Sequence, residues 1–441
     1  MSDKIKVVYS WIGPQGPLWN TEVPNIISLA SMTGSTQVDS RFFMGDSTWL
    51  QIFSVRPDLY EVYPSFGITE NDDRPFIIPY TLMWRTEFPV YFCGRTGLLE
   101  FAHVPWHLIR LAIIKNGYIL IDHGVEAIMS DYALDAMHGY FKDIHHIPLH
   151  KVIYLTGAVN APQMYEEYCN KRGISNNLGD RLTIIPYASG GYIFKHDMAN
   201  TEEPVYDTEV VPEKLFLAWN RRHRLLRVEA ALCMEKLNVI DRSYVSFTRE
   251  NIEMPTHTFR SVIPDNFNME TYYGITEDII NRFDSKLPLI LDNATEIALM
   301  CQDSENTTRS YYENSLVSVV TETTFRDAQV ALTEKTFKPF KQKHPFILIA
   351  GPDALKFLHS LGFKTFNEFW SEDYDEQGGP EDRMRRIMSV MEEISKWTPE
   401  QIIDFRRRVK PILEHNYNVL KNLDVGHILT DIKTLIENYK Q

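Results

Sequence analysis

Cysteine is scarce in this sequence of 441 residues: Cys93, Cys169, Cys233 and Cys301 are its four, and no two form a C-x-x-C pair. Such scatter argues against a disulfide framework and a zinc site, and the thiols are expected to be buried. Long apolar runs are missing as well. No stretch approaches the ~18 residues needed to span a bilayer, and Met1 to Lys6 leads into a strand-like segment rather than the apolar core of a signal peptide. A soluble, cytoplasmic protein without a membrane partner is therefore expected. Positive charge is in deficit, with 45 Lys and Arg against 59 Asp and Glu and a formal charge of −14. Polyphosphates should be repelled unless the basic residues are gathered locally. Five familiar signatures are also absent: G-x-G-x-x-G, a Walker loop, H-E-x-x-H, G-x-S-x-G and the kinase set. Their absence weakens readings as a dinucleotide-binding enzyme, a P-loop hydrolase or a zinc protease.

What is present is ordinary globular composition, 44% hydrophobic and 24% charged, with an aromatic share of 12% that includes 8 Trp and 22 Tyr. At roughly 150 residues per domain the chain should hold two or three. Continuous apolar runs at residues 6–11, 118–121, 151–156 and 181–185 alternate with helical spacing over 98–115 and near 164–171. That alternation predicts a parallel sheet covered on both faces. A polar, acidic, Pro-containing stretch over 199–212 reads as a linker. The pattern then restarts with Lys214 to Asn220, a helix over about 222–237, and strands at 287–291, 316–320 and 346–350, before helices from Glu381 onward. The expected architecture is α/β: two Rossmann-like domains, 1–205 and 206–441, facing each other across a cleft, the second ending in helices.

Three segments of the second half suit a nucleoside diphosphate. Asn220-Arg221-Arg222-His223-Arg224-Leu225-Leu226-Arg227 follows a buried strand and opens a helix, where free amides and the positive dipole end favour an anion. The plainer reading is a solvated, arginine-rich helix start. Ser315 to Thr323 is a buried strand that delivers Glu322 at its C-terminal end, where ligands of open parallel sheets bind. A carboxylate there can accept from ribose hydroxyls or stabilise a developing sugar cation. Thr333-Glu334-Lys335 opens a short helix with Thr333 as N-cap, Glu334 within reach of a ribose and Lys335 able to neutralise phosphate. A surface ion pair is the alternative for Glu334 and Lys335. Pro345 to Gly351 adds one more strand ending in a glycine turn.

Together, Thr321-Glu322, Thr333-Glu334-Lys335 and the strand from Pro345 to Gly351 resemble the donor-binding core of fucosyltransferase-like glycosyltransferases of the GT-B fold. Thr323 stands where that family carries Asn, and Asn220 followed by Arg224 and Arg227 resembles its Ser-Asn…Arg segment. The stretch from Thr333 to Phe366, with Asp373-Tyr374-Asp375 beyond it, is closer still to glycosyltransferases encoded by bacteriophages. The resemblance covers roughly the second half. It implies a nucleotide-sugar donor as co-substrate, no metal and no further cofactor, with Glu334, Lys335 and an arginine among Arg221, Arg224 and Arg227 on the nucleotide. It further implies a hydroxyl acceptor: 5-hydroxymethylcytosine in phage DNA, in the host cytoplasm, or a surface glycan or lipopolysaccharide. A catalytically degenerate phage binding or structural protein is the non-enzymatic alternative.

On the acceptor side, Asp122-His123-Gly124-Val125-Glu126 ends a strand of the first half. Asp122, Glu126 or His123 could serve as the base, Asp122 being the preferred candidate, with Glu322 as the second candidate catalytic carboxylate. Asp122 as a helix cap is the competing reading. Duplex DNA would require stacking of a flipped base, for which Trp11, Trp19, Trp84 and Trp106 are candidates, and a phosphate track. The candidate track residues are Lys335, Lys338, Lys341 and Lys343; Arg383, Arg385 and Arg386; and Arg406, Arg407, Arg408 and Lys410. The sugar, the nucleotide and the stereochemistry are not legible at this level.

Overall fold

A computed structural model describes residues 4–13, 16–17, 43–44, 56–64, 73–81, 106–123, 129–187, 198, 201–220, 223–250, 256–291, 305–326, 329–376, 378–423 and 426–439. The chain divides into two compact units, Met1–Tyr187 with Asp424–Gln441, and Ala188–Leu423.

In the first unit six strands run parallel in the order β4 (Tyr60–Pro64), β1 (Ile5–Gly13), β5 (Phe76–Thr81), β6 (Gly117–His123), β7 (Val152–Thr156) and β8 (Thr183–Pro186). Two short strands, β2 (Gly16–Pro17) and β3 (Phe43–Met44), pair antiparallel with the end of β1. The run Tyr118-Ile119-Leu120-Ile121 is fully buried, as expected of a strand covered on both faces. Gly117 begins it because a Cβ there would lie 2.4 Å from the Phe76 ring. Helices α1 (Trp106–Ile114), α2 (Asp131–His138) and α3 (Ala161–Arg172) join the strands. Lys151 closes the C-terminal end of α1, its ammonium donating to the carbonyl oxygens of Ala112 (2.8 Å) and Lys115 (2.5 Å).

The second unit has a four-stranded parallel sheet in the order β10 (Ser243–Ser246), β9 (Lys214–Trp219), β11 (Ser315–Thr321) and β12 (Phe346–Ile349). Around it lie α4 (Leu225–Lys236), α5 (Met269–Tyr273), α6 (Glu277–Lys286), α7 (Glu305–Glu313), α8 (Glu334–Lys341), α9 (Ala354–Ser360), α10 (Pro380–Ser395) and α11 (Pro399–Lys421). From β9 the chain steps to β10 on one side, then returns to build β11 and β12 on the other. The switch therefore lies between β9 and β11. Right-handed crossovers then put α4 and α8 on opposite faces; α4 packs with α6 and α10, and α8 with α11.

Both units are thus α/β layers on a parallel sheet of the Rossmann kind. Three expectations need correction. The division falls after Tyr187 rather than Val205. The last helix, α12 (Gly426–Asn438), belongs to the first unit: Tyr60 donates to the Leu429 carbonyl, and Ile428, Leu429, Ile432 and Ile436 are buried. Residues 287–291 form no strand; Leu289 makes one isolated antiparallel bridge with Phe247. Cys169 and Cys233 are buried free thiols, while Cys93 and Cys301 lie outside the described residues. Among the described residues no helix is long and apolar enough to cross a membrane.

Candidate functional site

At the C-terminal edge of the second sheet lie Asn220, Arg224, Glu322, Glu334 and Lys335. β9 ends at Trp219, and Asn220 follows, fully buried, its amide N–H donating to the Ser246 carbonyl at 3.0 Å. On the neighbouring strand Thr321 donates its hydroxyl to Asn220 Oδ1 at 2.6 Å. Asn220 is therefore fastened at the switch point, where open parallel sheets bind ligands. Asn220 Nδ2 is a buried donor without an acceptor among the described residues.

His223 supplies a second fastening. It is 5% exposed, stacks on Phe247 with centroids 4.8 Å apart, and places Nε2 at 2.8 Å from the Thr248 carbonyl. Burial lowers its pKa, so the ring that holds the loop is neutral near pH 7. With Asn220 and His223 turned inward, Arg224 becomes the N-cap of α4, in extended conformation (φ −132°, ψ 149°). A guanidinium gives the helix start no side-chain acceptor. Arg224 is half-buried, and its guanidinium has no ion pair or hydrogen bond with a described residue. Arg227, in the first turn, is buried at 6% exposure. Arg221 lies outside the described residues.

Glu322 follows β11 and is 1% exposed. Its Oε1 accepts from the Thr333 amide at 2.9 Å and the Thr336 hydroxyl at 2.5 Å, and its Oε2 from the Thr333 hydroxyl at 2.7 Å. The carboxylate expected at the sugar or ribose is thus engaged with the start of α8. Thr333 is the N-cap of that helix, as its position before Glu334 implied. Lys335 Nζ lies 2.8 Å from Thr333 Oγ1 and 3.0 Å from Glu334 Oε1. Burial opposes the charge on Glu334, yet the ammonium groups of Lys335 and Lys338 outweigh it and hold the carboxyl down at about 2. Beside this turn a cavity of about 40 Å³ is lined by Trp219, Thr321, Lys335 and Lys338 among others, with room for water but not for a nucleotide.

The loop from Glu322 to Thr333 is anchored elsewhere as well. Arg326 pairs with Glu229 of α4 and with Glu381 of α10 (2.6 Å), and lies 4.4 Å from the Phe267 ring centroid. Arg383 of α10 donates to the carbonyls of Ala350 and Phe325. At Gly351 a Cβ would stand 2.7 Å from the Gln329 carbonyl oxygen, so this loop crosses the end of β12 at a distance only glycine permits. Arg326 and Gly351 complete the site; Arg326 was not singled out by sequence reasoning because nothing local marks a lone arginine after a strand.

In the first unit Asp122 stands one residue from the end of β6, its backbone paired with Thr81 and Leu155; its side chain, with 124–128, lies outside the described residues. Trp19 and Trp84 lie outside them too, as do the side chains of Trp11 and Trp106.

The basic clusters are largely matched within the second unit. Arg406 donates to the Asp207 carbonyl, Arg407 pairs with Glu209, and Arg408 with Asp404. Arg385 pairs with Asp382, Arg386 lies near Asp373 and Glu376, and Lys343 pairs with Glu203.

No protein-family model matches the chain, and no curated protein matches its sequence. Among solved structures it is similar to an alpha,alpha-trehalose-phosphate synthase (UDP-forming) from Burkholderia vietnamiensis, with 13% identity over 83% of this chain and 75% of that one and a TM-score of 0.43. The Candida albicans trehalose-6-phosphate phosphatase N-terminal domain gives 10% identity over 99% of this chain and 97% of that one, with a TM-score of 0.44. A glycosyltransferase from Rickettsia africae ESF-5 gives 12% identity over 86% and 89%, with a TM-score of 0.31. Likenesses this distant carry no chemistry, so the functional reading rests on the residues of the site.

Proposed function

We propose that the chain is a glycosyltransferase whose second unit holds a nucleoside diphosphate sugar at the switch between β9 and β11. One observation carries this reading. Two helix N-termini, those of α4 and α8, open at the C-terminal edge of the same sheet, and each carries a cation, Arg224 and Lys335. Arg224 has no partner among the described residues. Amide dipoles and fixed cations together suit a diphosphate, whose charge grows as the bond to the sugar breaks. Arg224 and Lys335 take the leaving diphosphate, with Arg221 and Arg227 of the same segment in support. Glu334, ionised across the physiological range, accepts from the ribose hydroxyls. Asp122, in the first unit, is the proposed base for the acceptor hydroxyl.

The acceptor to test first is hydroxymethylcytosine in duplex DNA. The internal pairing of the basic clusters favours the second reading, a surface glycan or lipopolysaccharide, because a phosphate track would have to break those pairs to form.

Nucleotide binding tests the first claim. UDP or GDP at millimolar concentration should raise the melting temperature, by mass action on the folded state alone. No rise with either would remove the donor site and leave the non-enzymatic binding protein. Incubating hydroxymethylated duplex DNA with a panel of nucleotide sugars and weighing the nucleosides tests the acceptor. No mass gain on any donor refutes the DNA reading.

A further inference from the structure

We infer that Glu322 is a positioning residue for Lys335, acting by fixing the direction of a single hydroxyl proton. The inference rests on the donor site proposed above and changes the part expected of Glu322 from contact with the sugar to control of a cation.

A carboxylate can only accept. Because Oε2 of Glu322 lies 2.7 Å from Thr333 Oγ1, the one hydroxyl proton of Thr333 is committed to it. The lone pairs of that oxygen then face the other way. There they meet two donors of Lys335, the ammonium at 2.8 Å and the backbone N–H at 3.4 Å. The same carboxylate holds the Thr333 amide and the Thr336 hydroxyl through Oε1, so the turn that carries Thr333 cannot rotate to relieve the arrangement. A free lysine side chain loses rotamer entropy when it is fixed. Seated between Thr333 and Glu334, the Lys335 ammonium has already lost it before an anion arrives. Pre-organisation of this kind raises affinity without a new contact.

Sequence neighbours extend the device. Thr321, immediately before Glu322, is the residue that bonds Asn220 at the start of the α4 loop. Two adjacent side chains at the tip of β11 therefore fasten the two helix starts that the diphosphate reading requires.

Glu322→Gln tests the inference, since the amide keeps the shape but must offer an N–H toward Thr333 or Thr336. If it meets Thr333, the hydroxyl proton reverses toward the Lys335 ammonium and the seat is lost. Calorimetric affinities for UDP and GDP are compared with those for uridine and guanosine in the wild type, Glu322→Gln, Lys335→Ala and the double variant. The expected result is about tenfold weaker diphosphate binding, as for loss of one charge-assisted contact. Nucleoside binding should be unchanged, and no further loss should appear in the Lys335→Ala background. Thr333→Ser should keep the affinity. Thr333→Val should lose it, and serves if Glu322→Gln does not fold. Undiminished diphosphate binding, or a loss as large in the Lys335→Ala background, overturns the inference. A wild type that binds neither diphosphate overturns the donor site instead. The positioning itself is then read by acetylation of Lys335 with an amine-reactive reagent. Several-fold faster labelling in Glu322→Gln is expected, and an unchanged rate refutes it.

Discussion

Arg224→Ala separates binding from folding more cleanly than any other change in this unit. The guanidinium has no acceptor among the described residues, so its removal breaks no ion pair and orphans no buried carboxylate among them. As an N-cap it contributes no side-chain hydrogen bond, and alanine there is no worse an acceptor. The expected stability change is therefore within about 0.5 kcal/mol, the range of ordinary surface substitutions. Against a diphosphate the same side chain would make a charge-assisted, often bidentate contact, worth about 1.5–3 kcal/mol, or roughly 10- to 150-fold in Kd. Titration calorimetry with UDP and GDP, beside thermal unfolding without nucleotide, reads both quantities from one preparation. Lys335→Ala is the companion variant and should weaken the same ligands. An unchanged Kd in Arg224→Ala, with affinity lost in Lys335→Ala, would refute the two-helix site and leave α8 alone. A large fall in melting temperature without ligand would refute the premise that Arg224 is uncommitted.

Three further outcomes follow from the packing. Deleting residues 424–441 removes Ile428, Leu429, Ile432 and Ile436 from the first unit. At about 1.5–3 kcal/mol for each buried side chain this loss rivals the whole stability of a domain, so circular dichroism and limited proteolysis should show that unit unfolded; a native-like digestion pattern would refute the assignment of α12. Gly351→Ala should cost about 1–3 kcal/mol in denaturant unfolding, because the new Cβ meets the Gln329 carbonyl at 2.7 Å. Glu372→Gln tests a pH term. Burial, against the hydrogen bonds from Thr365 and the Phe366 amide, pushes the Glu372 carboxyl up from 4.5 to about 7. The folded chain then holds a proton that the unfolded chain has released, so this group lowers stability as pH rises from about 4.5 through 7, by about 3 kcal/mol at most. The melting temperature of Glu372→Gln should fall less than that of the wild type between pH 5 and pH 8, and equal slopes would contradict the shift.

The sheets were legible because their strands read as unbroken apolar runs, and β7, β11 and β12 are buried along their whole length: β1, β6, β7, β8, β9, β11 and β12 all stand where those runs lie. The strands β4, β5 and β10 were missed, being short or broken by Pro and Ser, and Leu287–Leu291 was misread because an apolar run has no way of recording whether a partner strand exists. At the site, Thr333 as a cap was legible from a local rule, the hydroxyl residue just before a helical run. Glu322 was located correctly at the end of its strand, yet its hydrogen-bond partners lie eleven and fourteen residues away, across a loop whose path no local pattern specifies.

Sequence by itself determined the class of each layer and the residues brought to the edge of the second sheet, since periodicity and capping act within a few residues of their cause. Only the tertiary structure decided which of those residues stay available. It turned Asn220 and His223 inward and left Arg224 without a partner among the described residues. It matched basic clusters to Glu203, Glu209 and Asp382, committed Glu322 to Thr333 and Thr336, and returned α12 to the first unit. An amphipathic helix or a charged side chain states in sequence that it needs a partner. Which partner it finds is set by the long-range path of the chain.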